Sequence, residues 1–357
     1  MAINDLTRVL IVDDSKSICR ILEKHFSEDP GLEVVGYALD AYEARDKINQ
    51  LKPDVITLDV QMPRMDGVTF LRNLMRLKPM PVVMLSSLTS AGAEITFDAL
   101  EAGAVDFMHK VQPGSREELH CYMQELIRRI KQAGSMKLSS TSGKNITTDI
   151  PDLSQLKNKL ESGRQASPEI HRLLAIGAST GGPEALRHVL TDFDAKQCAI
   201  VIAQHMPENF MAPFALRLHK HSTFEIALAV DGEKLKPGCA YVAPGNQHLT
   251  IIKRNMDLYC QLNEQDPVNG HRPSVDVLFN SVAESVGVGA TGLLLTGMGN
   301  DGAVGLTRMC KDGSLTLVQD ELSSSVWGMP RRAYEMGGAD CVLSLQAIAP
   351  VLNKLFG

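Results

Sequence analysis

Short apolar runs that break off at a polar side chain recur along this chain, and they leave it few folds. Thr7 to Val12 is apolar and β-branched and stops at Asp13 and Asp14. Val55-Ile56-Thr57-Leu58 stops at Asp59, Val82-Val83-Met84-Leu85 ends at Ser86 and Ser87, and Val105-Asp106-Phe107-Met108-His109 leads into Lys110. Between them apolar residues fall three or four apart, as in Ile18-Cys19-Ile21-Leu22 and Phe70-Leu71-Leu74-Leu77, the spacing of a helix face. Strands alternating with helices predict a parallel doubly wound sheet, with the residues that end the strands gathered at its C-terminal edge. The pattern then restarts. Leu173 to Ala178 ends at Ser179, Val201-Ile202-Ala203-Gln204 ends at His205, and Leu294-Leu295 runs into a glycine-rich turn that holds Asp301. The fold class expected is therefore α/β, with two doubly wound parallel-sheet domains. Cys239 to Leu262 alternates and turns like antiparallel hairpins, which predicts a β-hairpin insertion in the second.

A chain of 357 residues is long enough for two domains that each bury a proper core. The first is placed at residues 5–131 and the second at 169–357. The stretch between, 132–168, is rich in Ser, Thr, Lys and Gly and reads as a flexible linker. Within it Leu153, Leu156 and Leu160 keep helical spacing and predict one short helix. The seven cysteines are scattered without a Cys-Xaa-Xaa-Cys pair, the usage of reduced thiols in a cytoplasmic protein without a zinc site. No signal-peptide pattern opens the chain, and no apolar stretch reaches the roughly 20 residues of a membrane span; a cytoplasmic monomer without membrane insertion is expected. From residue 169 onward 15 Lys and Arg face 19 Asp and Glu, a net of −4. So acidic an output domain is a poor binder of phosphate backbones, which argues against a nucleic-acid partner.

Ser179 sits in Gly177-Ala178-Ser179-Thr180-Gly181-Gly182-Pro183. A hydroxyl on a sharp strand-to-helix turn is lifted clear of the sheet, and the backbone N–H groups that follow face any anion formed beside it. A tight βα turn or a phosphate cradle can carry the same glycines. What favours a nucleophile is that His205 and Asp301 end strands in the same way. His248 and His271, in polar loops with Gly or Pro nearby, remain open as alternative bases on spacing alone. The order Ser, His, Asp also differs from the Ser, Asp, His of the α/β-hydrolases.

The first domain carries a different chemistry. Three carboxylates at one edge, Asp13, Asp14 and Asp59, repel one another unless a hard divalent cation with oxygen ligands lies among them, and Mg²⁺ suits that set. A carboxylate can attack phosphorus to give an aspartyl phosphate, whose oxygens a serine hydroxyl and a lysine ammonium would hold.

Val12-Asp13-Asp14-Ser15, Leu58-Asp59-Val60-Gln61-Met62-Pro63 with Met65-Asp66-Gly67, and Asp106-Phe107 before Lys110 make the segment from Thr7 to Arg129 resemble a two-component receiver domain. The resemblance implies a flavodoxin-like fold with Asp59 as phosphoacceptor. It also implies Mg²⁺ held by Asp14, by Asp13 through water, by Asp59 and by the Gln61 carbonyl. Ser86 and Lys110 would grip the phosphate, and Phe107 would occupy the aromatic switch position. In place of the proline that follows the lysine in that family stands Val111. The segment from Glu169 to Gly357 resembles the catalytic domain of the chemotaxis protein-glutamate methylesterases, the CheB family. The motifs are Gly177 to Gly182, Gln204-His205-Met206-Pro207, Tyr241-Val242-Ala243-Pro244-Gly245, His271-Arg272-Pro273-Ser274-Val275-Asp276, and Thr296-Gly297-Met298-Gly299-Asn300-Asp301-Gly302. This implies a Rossmann-like serine hydrolase with Ser179, His205 and Asp301 as its triad, which selects His205 over His248 and His271. Thr180 and Met298 would line the site, with the Met298 N–H on the oxyanion. The activity implied is hydrolysis of glutamate γ-methyl esters on chemoreceptors and deamidation of receptor glutamines, with no cofactor for the ester step. A chemotaxis histidine kinase would supply the phosphate.

Overall fold

The computed structural model describes residues 6–86, 90–110, 114–136, 153–166 and 172–357. It divides into two units, Met1–Lys144 and Asn145–Gly357. In the first, β1 (Thr7–Val12), α1 (Lys16–Ser27), β2 (Leu32–Ala38), α2 (Ala41–Leu51), β3 (Val55–Asp59), α3 (Gly67–Leu77), β4 (Val82–Ser86), α4 (Ser90–Glu101), β5 (Asp106–His109) and α5 (Arg116–Gly134) alternate strictly. The sheet is wholly parallel in the order β2-β1-β3-β4-β5. The chain lays down β1, steps to the edge, then returns to the other side of β1. A crevice therefore opens between β1 and β3 at their C-terminal ends.

The helices form where capping and an apolar stripe coincide. Ser15, Asp40, Asp66 and Ser115 each accept a hydrogen bond from the first turn of the helix that follows, satisfying donors that helix geometry leaves orphaned. The stripe is narrower than the spacing predicts. Cys19, Leu22, Phe70, Leu71 and Leu74 are buried, whereas Ile21 is 48% and Leu77 72% exposed.

The second unit holds α6 (Ser154–Ala166), β6 (Arg172–Ala178), α7 (Gly182–Asp192), β7 (Cys198–Gln204), α8 (Glu208–Lys220), β8 (Glu225–Leu228), β9 (Cys239–Val242), β10 (His248–Arg254) and β11 (Asp257–Asn263). It continues through α9 (Val275–Ser285), β12 (Ala290–Leu294), α10 (Ala303–Lys311), β13 (Leu315–Gln319), α11 (Met329–Glu335), β14 (Cys341–Leu343) and α12 (Leu345–Phe356). Seven strands form a parallel sheet in the order β14-β13-β12-β6-β7-β9-β8. Again the first strand sits inside the sheet, and the chain changes sides between β6 and β12. The antiparallel pair is β10 with β11; its Leu249, Ile251, Leu258 and Cys260 are buried in the core that includes Leu278 and Val282 of α9. Cys239–Val242, expected within the hairpins, instead runs parallel between β7 and β8. Ala240, Tyr241 and Val242 are buried in succession, as an inner strand covered on both faces requires.

Within the stretch expected as linker, α5 reaches Gly134, and α6 packs beside the 3-10 turn Gly287–Gly289 and β13. Leu153, Leu156 and Leu160 are buried there, and Lys159 Nζ pairs with Asp340 Oδ2 at 2.7 Å. Residues 137–152 of that stretch, and 167–171 at its boundary with the second domain, lie outside the described residues. Among the described residues no helix is long and apolar enough to cross a membrane.

Candidate active site

The register of the second sheet places its polar strand ends together. Ala178 of β6 stands opposite Gln204 of β7, and the His205 N–H continues the ladder to Ala178 O at 3.1 Å. Gln204 Nε2 donates to Ser179 O at 2.9 Å and to His205 O at 3.0 Å, fastening the two strand ends. The serine turn is held from its other side. Ser179 N–H donates to Thr296 O at 3.0 Å, and Thr296 Oγ1 donates to Thr180 O at 2.9 Å while accepting the Val326 N–H at 2.9 Å. Gly181 then starts α7 at φ +74°, where a side chain would run into Ser325. A left-handed residue is needed at that point, and glycine adopts it without strain. Gly297 packs directly against Ser179: a Cβ there would lie 2.9 Å from Ser179 Cβ. Its N–H is fixed to Val326 O, and half-buried Met298 follows it.

His205 bridges the other two residues. Its Nδ1 lies 3.1 Å from Ser179 Oγ and its Nε2 lies 2.8 Å from Asp301 Oδ2. Both partners are shielded, with side-chain exposures of 5% for His205 and 1% for Asp301. An ionised carboxylate only accepts, so Nε2 carries the proton and Nδ1 presents its lone pair to the serine hydroxyl. Asp301 is held by more than the histidine. Ser274 Oγ donates to Oδ1 at 2.8 Å, Asn269 Nδ2 to Oδ1 at 2.9 Å, Val275 N–H to Oδ2 at 2.7 Å and Asp276 N–H to Oδ1 at 3.2 Å. Burial opposes its ionisation, but the hydrogen bond and charge of His205, with those from Asn269 and Val275, hold it well below the usual carboxylate range. Two of these donors are the first backbone amides of α9, whose positive end favours a carboxylate. Asp276, beside it, is raised by burial and by the charge of Asp301, although Gly305 N–H and Asn269 donate to it.

The other two histidines have different places. His248 is fully buried, accepts the Ser274 N–H at Nδ1 and faces Asp266 O with Nε2, so it braces the cap of α9. His271 stacks on His205, with ring centroids 3.7 Å apart and planes within 10°. Gln204, Ser274 and Thr296 stood in the quoted motifs without a role of their own, and sequence reasoning did not find Asn269 at all. For Asn269 the Asn269-Gly270 dipeptide, a strong hairpin signal, was the available hint.

At the edge of the first sheet, ligand atoms of Asp13, Asp14 and Asp59 all lie within 4.8 Å of one another. Lys110 Nζ pairs with Asp13 Oδ2 at 2.7 Å and Asp59 Oδ2 at 2.8 Å. Burial pushes the Asp59 carboxyl above its ordinary range; Lys110 opposes this and Asp13 adds to it. Burial works against the Lys110 charge, but both carboxylates raise its affinity for the proton. Three hard oxygen donors at one point fit a divalent cation. The Gln61 N–H donates to Asp59 Oδ1 at 3.3 Å. Ser86 is buried, and its Oγ accepts from Thr96 Oγ1 on α4 at 2.9 Å. Phe107 is buried, and its carbonyl accepts from Arg129 at 3.0 Å. Ser87 and Val111 lie outside the described residues.

A CheB methylesterase family model matches residues 174–352, and a response regulator receiver domain model matches residues 9–124. A protein-glutamate methylesterase/protein-glutamine glutaminase of Xanthomonas campestris pv. campestris is 48% identical across 99% of both chains. The chain belongs to the CheB methylesterase family. A second relative with the same name, from Pectobacterium atrosepticum, is 46% identical over 96% of this chain and 95% of its own. The CheB methylesterase catalytic domain of Thermotoga maritima superposes with a TM-score of 0.51 at 35% identity, covering 52% of this chain and 99% of that one. Its receiver-plus-esterase architecture is thus that of a response regulator with an enzymatic output.

Proposed function

We propose that the chain is a phosphorylation-controlled protein-glutamate methylesterase that demethylates chemoreceptors during chemotactic adaptation and also deamidates receptor glutamines. The observation that carries this reading is the line Ser179 Oγ, His205, Asp301, closed at 3.1 and 2.8 Å, in a member of this family. Ser179 Oγ attacks the γ-carbonyl carbon as its proton passes to His205 Nδ1. The imidazolium keeps its Nε2–H on Asp301, which stabilises the new charge. The turn after Ser179 and the Met298 N–H offer dipoles to the oxyanion, and Thr180 lines the pocket. Collapse of the tetrahedral adduct returns the proton from Nδ1 to methoxide, and methanol leaves. Water then gives its proton to Nδ1 and attacks the acyl carbon; Ser179 departs reprotonated and glutamate remains. A glutamine amide follows the same course with ammonia as the leaving group.

Control begins at Asp59, whose oxygen attacks the phosphorus of a phosphodonor, in the cell the phosphohistidine of a chemotaxis histidine kinase, as the phosphorus–nitrogen bond breaks and the imidazole leaves. Asp13, Asp14, Asp59 and the Gln61 carbonyl would hold Mg²⁺, which supplies neutralising charge for the phosphoryl oxygens. Lys110, already at Asp59, and Ser86 take those oxygens. Ser86 is tied to Thr96 on α4, so its movement is passed to that helix, and Phe107 answers by repacking. The test is methanol release from methylated receptor membranes, with and without a small phosphodonor and Mg²⁺. Release that is absent in both arms, or that survives Ser179→Ala, overturns the reading.

A further inference from the structure

His271 takes no part in the mechanism above, yet its ring lies flat on the base. Val268 and His271 pair as the ends of a two-residue hairpin turn, each N–H donating to the other's carbonyl at 3.1 and 3.0 Å. Asn269 and Gly270 between them both have positive φ, 54° and 78°, the geometry of a type I′ turn. This one turn reaches both partners of the serine. Asn269 Nδ2 donates to Asp301 Oδ1 at 2.9 Å, and His271 covers His205 at 3.7 Å between centroids and 10° between planes.

Two hydrogen bonds locate His205, and imidazole nitrogens donate and accept in the plane of the ring. Neither strongly resists rocking of the ring out of that plane; contact on its face does. The contact also discriminates between charge states. Ring faces are electron-rich, so two neutral rings stacked face to face gain little and prefer to slide apart. A cation over an uncharged ring is attracted to it. In the step proposed above His205 takes a proton as Ser179 attacks; with His271 as the neutral ring the stack then strengthens in the transition state, where added stabilisation raises the rate.

We infer that His271 is a positioning residue for His205, holding the base in line with Ser179 and Asp301 and stabilising the imidazolium that forms on it. The inference rests on the esterase reading, and its test carries one readout that does not depend on substrate. Full-length variants are compared by methanol release from methylated receptor membranes and by the rate at which a fluorophosphonate labels Ser179. For His271→Ala, kcat and the labelling rate are expected to fall about tenfold, with KM within about twofold of the parent. His271→Phe restores a flat face without a titrating nitrogen, and both rates are expected to return to within about threefold of the parent. A raised KM with kcat unchanged would show that His271 meets substrate rather than the base. A Phe variant as slow as the Ala variant, or an Ala variant as fast as the parent, overturns the inference. Should the Ala variant fold poorly, His271→Gln, which keeps bulk without an aromatic face, takes its place with the same expected losses. Parent protein that labels but releases no methanol sinks the substrate reading, and the labelling rates still judge His271.

Discussion

Asp301 accepts five hydrogen bonds, so its carboxylate ties together the segment around it as well as holding the His205 ring. An amide in its place offers one accepting oxygen and turns an NH₂ toward groups that are themselves donors. Asp301→Asn is therefore expected to lower kcat by at least about 100-fold and to destabilise the second unit by about 1–3 kcal/mol, read by urea unfolding. Because its pKa is lowered on folding, the carboxylate stabilises fully above the unfolded value of about 3.9 and loses that contribution as pH falls toward the folded one. The gap between parent and Asn variant should narrow on going from pH 7 to strong acid; a gap independent of pH would mean that the charge is not what stabilises. Ser179→Ala removes only an oxygen at a turn held by its backbone. It should abolish methanol release by several orders of magnitude while leaving melting and Asp59 phosphorylation intact. Thr296→Val keeps the shape but drops the bonds to Thr180 and Val326, and about a tenfold loss of kcat is expected, with stability lower by about 1–3 kcal/mol.

Among the elements, those read most clearly from sequence were the strands whose apolar runs stop abruptly. β1, β6 and β7 end just before Asp13, Ser179 and His205, and β3 ends on Asp59, so the polar residue that stops the apolar run announces both the strand end and the chemistry. Cys239–Val242 was harder: four residues do not distinguish an inner parallel strand from one arm of a hairpin. The bracing around the triad was hidden for another reason. Asn269, Thr296 and Ser274 act through partners 32, 116 and 27 positions away, and no local pattern encodes such pairings. The leucines of α6 were visible as a stripe, although not the surface they cover. Leu160 is 3% exposed, so Leu160→Ala should lower the stability of the second unit by about 2–5 kcal/mol. Lys159→Ala breaks a partly exposed pair with Asp340 and should change it by less than about 1 kcal/mol. Equal effects in urea unfolding of the full chain would contradict this division between packing and charge.

At the scale of the molecule, the two chemistries occupy separate units, and chelation should separate them. With EDTA, Asp59 should cease to accept phosphate from a small phosphodonor, whereas fluorophosphonate labelling of Ser179 should continue at an unchanged rate. Loss of labelling would place a metal in the esterase site. Both sheets also begin with an interior strand, and the chain returns to its flank only after a long excursion. His205 meets Asp301 across 96 positions, and Ser179 meets Thr296 late in the chain. A ribosome that has released β6 and β7 has made a serine and a histidine but no working pair, for the residues that sharpen them are still unsynthesised. Reactivity toward esters thus arrives in one step once β12 and the turn that follows it have been made, and chains halted before that point stay inert toward esters.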